Sequence, residues 1–323
     1  MPVHAFVFPG QGSQTVGMGR DLAAAFPAAR EVFEEVDETL KQNLSRLMFE
    51  GPLDELTLTR NAQPALMATS LAALAVLERE GGFVLRRKAA VVAGHSLGEY
   101  SALAAAGSFT IAEAATLLRL RGEAMQQAVP AGEGAMAALI GLEMPEAQEI
   151  CEAASPVPES ETNETQVIEP ANDNGGGQIV VSGHRAAVER AVEIAKDRGV
   201  RRAMMLPVSA PFHCALMAPA AEAMAEALRA KPPRPPAVPV VANASAAKAT
   251  DPSDIAELLV RQVTATVRWR ESVLAMTTLG VDSFVELGAG RVLSGLIRRI
   301  APDAAVASAA TPPQVDALLK VLT

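Results

Sequence analysis

One stretch of the sequence, residues 89–106, constrains the fold more than any other. It runs AAVVAGHSLGEYSALAAA, so an apolar segment leads into Gly94-His95-Ser96-Leu97-Gly98 and then into an alanine-rich segment. A short apolar segment before a glycine predicts a buried strand of a parallel sheet, and the alanine-rich segment predicts a helix. The pattern therefore predicts an α/β fold with Ser96 in a tight strand-to-helix turn, either as a nucleophile or as a structural residue.

The rest of the chain divides into two predicted regions. The segment VHAFVF near the N-terminus predicts another buried strand. Strand and helix patterns alternate over 132–206, which predicts a compact α+β unit inserted into a larger core formed by 1–131 and 207–323. An acidic segment near 155–170 predicts an exposed loop to which the sequence assigns no role. Helical periodicity covers four further segments: 20–50, 64–80, 110–128 and 254–280.

Composition excludes several classes of protein. The net charge of -9 argues against a general nucleic-acid binder, and two cysteines form neither a disulfide framework nor a metal-ligand cluster. The N-terminus has no pattern of a signal peptide, and no uncharged apolar segment reaches the length of a membrane span. We therefore expect a soluble cytoplasmic protein with no metal site and no membrane partner, and we take a monomer as the default.

A nucleophilic serine needs a base, and the chain offers four histidines. His4 lies in the first predicted strand and His184 at the start of a predicted helix, so both have ordinary structural roles available. His95 adjoins Ser96 in the chain and should point away from its hydroxyl. His213, in the segment PFHCALM, is the remaining candidate, and the residues alone leave catalytic and structural roles open for it.

A series of short motifs runs along the chain. The motifs are FPGQGSQ (8–14), QPA (63–65), GHSLGEY (94–100), RG with MQ (121–126), GAMAALIG (134–141), AND with GQIVVSG, PFH (211–213), RQ with VRW (261–269) and ELGAG (286–290). In this order and spacing they resemble the malonyl-CoA:acyl carrier protein transacylases of fatty acid synthesis, with the acyltransferase domains of polyketide synthases as more distant relatives. The resemblance extends from about residue 4 to residue 300. It implies an α/β-hydrolase-like core with a ferredoxin-like subdomain and an active site between the two.

The resemblance implies a set of catalytic residues. Ser96 matches the nucleophile of the family and His213 its general base. The family orients this imidazole with a backbone carbonyl, and Gln262 matches that position. The backbone N–H groups of Gln11 and Leu97 match the donors that hold the oxyanion. The chain thus resembles an enzyme with a serine–histidine dyad and no catalytic carboxylate.

Three further residues match positions that contact the substrate. Arg121 matches the residue that binds the free carboxylate of a malonyl group, although the periodicity alone is equally consistent with a solvated arginine on a helix. Phe212 matches a position that favours malonyl over methylmalonyl groups in relatives. Asn172 is implied as a structural or substrate-contacting residue of the small region. Alternatively, Phe212 is an ordinary core residue, which is compatible with the same role.

The resemblance also implies the reaction and its partners. Malonyl-CoA is the implied substrate, and the phosphopantetheine thiol of an acyl carrier protein is the implied acceptor, in a ping-pong reaction through a malonyl-serine ester with no bound cofactor. Because carrier proteins of this family are acidic, the basic residues Lys196, Arg201 and Arg202 are candidates for a docking patch, with plain solvated surface as the alternative.

Three other functions remain as alternatives. The first is a malonyl-specific acyltransferase that serves a polyketide synthase. A serine esterase is the second, but it would carry an HGGG-type motif and a histidine near the C-terminus, whereas the last histidine here is His213. The third is a non-catalytic scaffold that binds carrier protein, against which the presence of Ser96, His213 and Arg121 argues.

Overall fold

The computed structural model describes residues 2–156, 165–208 and 210–322. Its ten strands form two sheets, which confirms the predicted α/β class. The strands are β1 (His4–Phe8), β2 (Ala89–Gly94), β3 (Gly134–Ile140), β4 (Ile168–Asp173), β5 (Gln178–His184), β6 (Arg202–Met205), β7 (Val240–Ala242), β8 (Ala247–Ala249), β9 (Ser283–Leu287) and β10 (Ala305–Ala309).

Helices cover both faces of the larger sheet and one region of the smaller one. They are α1 (Arg20–Ala25), α2 (Pro27–Leu40), α3 (Leu44–Glu50), α4 (Leu53–Thr57), α5 (Thr59–Arg79), α6 (Leu85–Lys88), α7 (Gly98–Ala105), α8 (Ile111–Gln127), α9 (Met144–Ala154), α10 (Arg185–Asp197), α11 (Ala218–Ala230), α12 (Pro252–Thr264), α13 (Trp269–Thr278), α14 (Val292–Ile300) and α15 (Pro312–Leu322). A short 3-10 helix, Ala215–Met217, precedes α11.

Two segments with helical periodicity are divided into several helices in the structure. The segment 20–50 forms three helices, because Phe26 is extended before Pro27 starts α2 and Lys41 ends α2 with a φ of 49°. Proline favours the first position of a helix, where its missing N–H has no intrahelical partner to lose. The segment 254–280 forms α12 and α13, separated where Ala265 is extended.

The six-stranded sheet has the order β10-β9-β1-β2-β7-β8. All neighbouring strands are parallel except β8, which pairs antiparallel with β7 at the edge. Every residue of β1 is buried, as expected for a strand covered by helices on both faces. β1 and β2 are parallel neighbours, so the turns after Phe8 and Gly94 leave the sheet at the same edge. The carboxyl ends of parallel strands are the usual place for a binding site in such sheets.

The four-stranded sheet is wholly antiparallel, with the order β4-β5-β3-β6. Its strands and the helices α9 and α10 follow one another as β-α-β-β-α-β, which is the ferredoxin-like arrangement. This sheet and its helices enclose a separate apolar cluster between Ala135 and Ala195. We propose that residues 132–206 form one unit, the small unit, and that residues 1–131 and 207–323 form the large unit.

The two units are joined along β4. Asp173 N donates to Val267 O at 3.0 Å, and Val267 N donates to Ala171 O at 2.9 Å, so the small sheet is bonded to the segment between α12 and α13.

Of the predicted acidic loop 155–170, residues 157–164 lie outside the described residues, and β4 already begins at Ile168. Within the described ranges, no helix combines the length and apolarity that a membrane crossing requires.

Candidate active site

Ser96 lies at the tip of the turn between β2 and α7, in a backbone conformation that serine rarely adopts. Its φ is 53°, and Asn243 Oδ1 accepts a hydrogen bond of 2.7 Å from its backbone N–H. A Cβ on Gly94 would lie 1.9 Å from the carbonyl carbon of Gly98, and a Cβ on Gly98 would lie 2.2 Å from Phe8 O. Only glycine fits at these two positions, so the sequence folds into a tight elbow that exposes the hydroxyl to the cavity.

His213 meets Ser96 across 117 residues of sequence. The Ser96 Oγ and His213 Nε2 atoms are 2.8 Å apart, and His213 Nδ1 is 2.8 Å from the backbone oxygen of Gln262. With the proton on Nδ1, the ring donates to this carbonyl and Nε2 is free to accept from the serine. His213 also has a positive φ, 60°, so both members of the pair lie on strained backbone.

Burial and charge keep the imidazole neutral. His213 is buried, and this burial together with the nearby Arg121 guanidinium lowers its pKa to about 3. Both effects penalise the imidazolium, because a second positive charge in a dry site is costly. A neutral ring is the form that accepts a proton from Ser96.

Two backbone N–H groups that line the cavity of Ser96 have no acceptor among the residues that the structure describes. Leu97 follows Ser96 at the start of α7, and Gln11 lies in the glycine turn after β1. Both residues line the same cavity as Ser96, and among the described residues nothing accepts a hydrogen bond from either N–H. Unpaired N–H groups at the start of a helix are well suited to an anion.

Arg121 approaches the serine from α8. Its side chain is 1 % exposed, and its Nη2 donates to Ser96 Oγ at 3.1 Å and to Gln262 Oε1 at 3.0 Å, while Nη1 donates to Gln63 Oε1 at 2.7 Å. No carboxylate of the described residues forms an ion pair with it, and its Nε has no acceptor there. Arginines this deeply buried are nearly always paired with an anion. The guanidinium therefore provides an anion-binding position directly beside the hydroxyl.

A buried acidic residue that the sequence reasoning did not select supports the elbow. Glu99 is 2 % exposed, and its Oε2 accepts from Asn243 N and from Gln262 Nε2, each at 2.8 Å. Gln262 Nε2 also donates to Ser96 O at 3.1 Å, and Asn243 Nδ2 donates to Gly94 O at 2.7 Å. Burial raises the pKa of Glu99 to about 7, while its hydrogen bonds and Arg121 act in the opposite direction. A glutamate inside an otherwise apolar helix start was the only signal for it.

The cavity in front of Ser96 has a volume of about 430 Å³. Its walls differ: Ser96, Gln63, Arg121 and His213 form a polar wall, and Met136 with the segment 206–208 forms an apolar wall. Of the predicted substrate contacts, Phe212 and Asn172 both line the cavity. Asn172 also forms an isolated parallel bridge with Val267, so it lies at the junction of the two units. The polar wall can hold and activate an acyl group, and the apolar wall can exclude water.

The remaining candidates lie away from this reaction centre or act indirectly. His95 lines the cavity, but its Nε2 is 2.9 Å from Asn174 Oδ1 of the small unit and no bond joins its ring to the Ser96 hydroxyl among the described residues. None of the three predicted docking residues lines the cavity: Lys196 at the end of α10 forms an ion pair with Glu193, and Arg201 and Arg202 are exposed at the start of β6. The docking patch stays a prediction. The described residues contain no group of acidic, histidine or cysteine side chains able to hold a metal ion.

Comparison with known proteins identifies the class. The model of the acyl transferase domain family matches residues 5–313, nearly the whole chain, so this protein is an acyltransferase. A malonyl CoA-acyl carrier protein transacylase of Bacillus subtilis is 45% identical over 318 residues, which are 98% of this chain and 96% of the relative. The chain belongs to the malonyl CoA-acyl carrier protein transacylases, in agreement with the resemblance noted in its sequence.

Solved structures agree in fold over the same length. An acyl-carrier-protein-S-malonyltransferase from Bartonella henselae superposes with a TM-score of 0.94 at 52% identity and covers 99% of both chains. A malonyl-transacylase solved in complex with its type II polyketide synthase acyl-carrier protein superposes with a TM-score of 0.92 at 40% identity, over 99% of both chains. These values confirm the predicted combination of a parallel core and an antiparallel second sheet.

Proposed function

We propose that the protein transfers a malonyl group from malonyl-CoA to the phosphopantetheine thiol of an acyl carrier protein, through an ester on Ser96. The observation that carries this proposal is the buried Arg121, which has no ion-pair partner among the described residues and donates to Ser96 Oγ. A carboxylate bound there bidentately would lie next to the serine ester. Such a site selects an acyl group with a second, charged end.

In the first half-reaction, malonyl-CoA acylates the serine. His213 Nε2 accepts the proton of Ser96 while Oγ attacks the thioester carbon, and the Nδ1–H bond to Gln262 O holds the ring in place. The negative charge that develops on the thioester oxygen is held by the N–H groups of Gln11 and Leu97. The carbon–sulfur bond then breaks, and CoA leaves as the thiol with the proton returned by His213.

The second half-reaction reverses these steps with a new thiol. The phosphopantetheine thiol gives its proton to His213 and attacks the ester carbon, and the same two N–H groups hold the oxyanion. Collapse expels Ser96 Oγ, which recovers the proton, and the malonyl thioester of the carrier protein is released. The apolar wall at Met136 and 206–208 limits the access of water to the ester between the two half-reactions.

Two side chains fit more specific roles in this reaction. Phe212 precedes the base and borders the cavity, so its ring can crowd an additional methyl group on the α-carbon of the substrate. One methyl group is typically worth about 1–3 kcal/mol in such a pocket, which gives preference rather than exclusion. Asn172 fits a polar contact to the substrate at the junction of the units.

The carrier protein belongs either to fatty acid synthesis or to polyketide synthesis. The names of the Bacillus subtilis and Bartonella henselae relatives do not distinguish the two roles. Polyketide synthesis is kept as the alternative, because one similar structure is a complex with a type II polyketide synthase carrier. Transfer rates measured side by side with one carrier of each kind will separate them. We propose fatty acid synthesis as the role, with a monomer in the cytoplasm and docking at Lys196, Arg201 and Arg202.

Intact-protein mass spectrometry tests the proposed reaction. The wild-type protein mixed with malonyl-CoA should gain one malonyl group, and the Ser96→Ala variant should gain none, because it lacks the attacking oxygen. Acetyl-CoA should label the wild type far more slowly, since it offers no carboxylate to Arg121. Absence of an adduct on folded wild-type protein, or an adduct that persists in Ser96→Ala, would contradict the mechanism.

A further inference from the structure

A chain of three hydrogen bonds connects Arg121 to the turn that carries Gln11. Arg121 Nη1 donates to Gln63 Oε1 at 2.7 Å. Gln63 Nε2 and Thr59 Oγ1 are 2.9 Å apart, and Thr59 Oγ1 and Gln11 Oε1 are also 2.9 Å apart. Thr59 and Gln63 are 0 % and 1 % exposed and lie one turn apart on α5, so they share a face of that helix.

The chemistry of the groups fixes the direction of this chain. A guanidinium only donates, so the amide oxygen of Gln63 must face Arg121 and its NH₂ group must face Thr59. The Thr59 hydroxyl accepts from that NH₂ group, which leaves its own proton for the side-chain oxygen of Gln11. Thr59 therefore joins the other residues through a single oxygen that both accepts and donates.

We propose that Thr59 is a positioning residue that keeps the carboxylate site at Arg121 in register with the oxyanion turn at Gln11. This inference rests on the proposed malonyl transfer. One methylene separates the two carbonyl carbons of a malonyl group, so binding its carboxylate at Arg121 fixes where its thioester oxygen lies. An error in the distance between the two sites then misplaces the oxygen relative to the N–H donors, which lowers the rate of the chemical step.

An acetyl group does not depend on this register. It has no carboxylate, so its carbonyl can adjust to the N–H groups wherever the turn lies. Each end of this hydrogen-bond chain is also held by another bond. Arg121 donates to Gln262 Oε1, and in the turn that carries Gln11 the side-chain Oε1 of Gln14 accepts from Gly12 N at 2.7 Å. Loss of the Thr59 hydroxyl therefore loosens the register without removing either site.

Thr59→Val tests the proposal, because valine keeps the shape of threonine and removes the hydroxyl. The expected result is a loss of about tenfold in kcat for malonyl transfer, typical of breaking one buried hydrogen-bonded link, with KM for malonyl-CoA within about twofold. The much slower transfer of acetyl groups should change by less than about twofold, since it does not use the link. Thr59→Ser restores a hydroxyl and should recover the malonyl rate.

Thr69→Val is the matched control. Thr69 is equally buried in α5, but its hydroxyl donates to Ala65 O and takes no part in the hydrogen-bond chain between Arg121 and Gln11. It should keep the wild-type kcat and the wild-type preference for malonyl groups. Gln11→Ala breaks the chain at its other end and keeps the backbone N–H, so it should reproduce the selective loss of Thr59→Val, and it replaces that variant if Thr59→Val does not fold.

Four outcomes overturn the proposal: full malonyl activity in Thr59→Val, equal losses with malonyl-CoA and acetyl-CoA, no recovery in Thr59→Ser, or the same loss in Thr69→Val. Equal losses would mean that the Thr59 hydroxyl supports the fold or the oxyanion turn alone, and the other outcomes would mean that the hydroxyl does not set the distance between the two sites. The state of the wild type separates this from the proposed function. A wild type that forms the malonyl ester while Thr59→Val keeps full activity refutes only the role of Thr59, and a wild type that forms no ester refutes the malonyl transfer itself.

Discussion

The polar and apolar walls of the cavity are built in opposite ways. The polar wall holds Ser96, Arg121 and His213 by hydrogen bonds to groups that are themselves hydrogen-bonded, such as Gln262 and Glu99. The apolar wall, Met136 and 206–208, touches the cavity mainly with hydrocarbon. A buried polar group costs free energy unless its partners are in place, so the polar wall tolerates few substitutions. Apolar contact is non-directional and depends mainly on area.

The difference indicates how the two tasks of the site are divided. Direction, charge and proton transfer depend on the polar wall, where a displacement of one atom changes a hydrogen bond. Exclusion of water depends on the apolar wall, which other apolar side chains of similar volume can also form. Substitution of Arg121 on the polar wall should therefore change which acyl group is chosen, whereas substitutions on the apolar wall should affect the transfer of all acyl groups alike.

The largest effect is expected for Arg121→Leu. The variant leaves the malonyl carboxylate without the guanidinium that would pair with it in the buried site. This loss should lower kcat/KM for malonyl-CoA by about 10²–10⁴-fold. Activity with acetyl-CoA should change little, so the preference for malonyl-CoA collapses. Arg119→Leu is the control, because Arg119 lies in the same helix but donates to Gln42 Oε1 and does not line the cavity. Steady-state kinetics with both thioesters measure the ratio, and a preserved ratio in Arg121→Leu would show that the carboxylate binds elsewhere.

An intermediate effect, on stability, is expected for Glu99→Gln. The pKa of Glu99 is raised from 4.5 to about 7 in the folded protein, so folding takes up a proton between these values. The unfolded state binds fewer protons in this range, and the contribution of Glu99 to stability therefore falls as pH rises from 4.5 to 7 and is constant above. Glutamine cannot titrate, so the variant lacks this slope. The Tm of the wild type relative to the variant should decrease by about 3 °C or more over this range.

Thermal unfolding of both proteins at pH 5 and pH 8 measures this difference, and parallel curves would show that Glu99 is ionised throughout. Glu286→Gln is a useful comparison because Glu286 is also buried but accepts from Leu293 N and Ser294 N and does not line the cavity. It should leave the malonyl preference unchanged. A change of preference in Glu286→Gln would mean that any buried charge, and not the polar wall in particular, sets the choice of acyl group.

The smallest effect is expected for Val208→Ala, on the apolar wall. The substitution removes two methyl groups from a half-buried side chain, which should raise KM by about threefold. Malonyl-CoA and acetyl-CoA should be affected equally, because hydrocarbon contact does not distinguish a carboxylate. A selective loss of malonyl transfer in this variant would break the division between the walls.

Local pattern was sufficient to predict the elbow and its strand, because glycine spacing and apolar runs act over a few residues. The segments β2, α7 and α8 lie where the sequence patterns indicated a strand and two helices. Pro27 marks the break at Phe26, but the break at Lys41 depends on a left-handed conformation in a residue other than glycine, so the periodicity over 20–50 did not indicate three separate helices.

Contacts between distant segments explain what the sequence did not predict. Asn243 bonds to Gly94 and to Ser96 from almost 150 residues away, and nothing near it in sequence indicates a role in the elbow. Glu99 lies within a recognised motif, yet its partners, Asn243 directly after β7 and Gln262 on α12, are visible only in the folded chain. The pairing of Ser96 with His213 was reached by elimination among four histidines and by family resemblance, and its roles remain a proposal.

The bonds between β4 and Val267 have a consequence for engineering. The small unit looks like a removable module, since it is a continuous insertion with its own apolar cluster. However, its strand β4 is bonded to the segment after α12, the helix whose Gln262 carbonyl accepts from His213. The chain also returns from β6 to His213 within a few residues. A chimera between relatives should therefore exchange residues 132–213 together with 262–267. A graft cut at the edges of the small sheet would separate His213 from the Gln262 carbonyl that orients it.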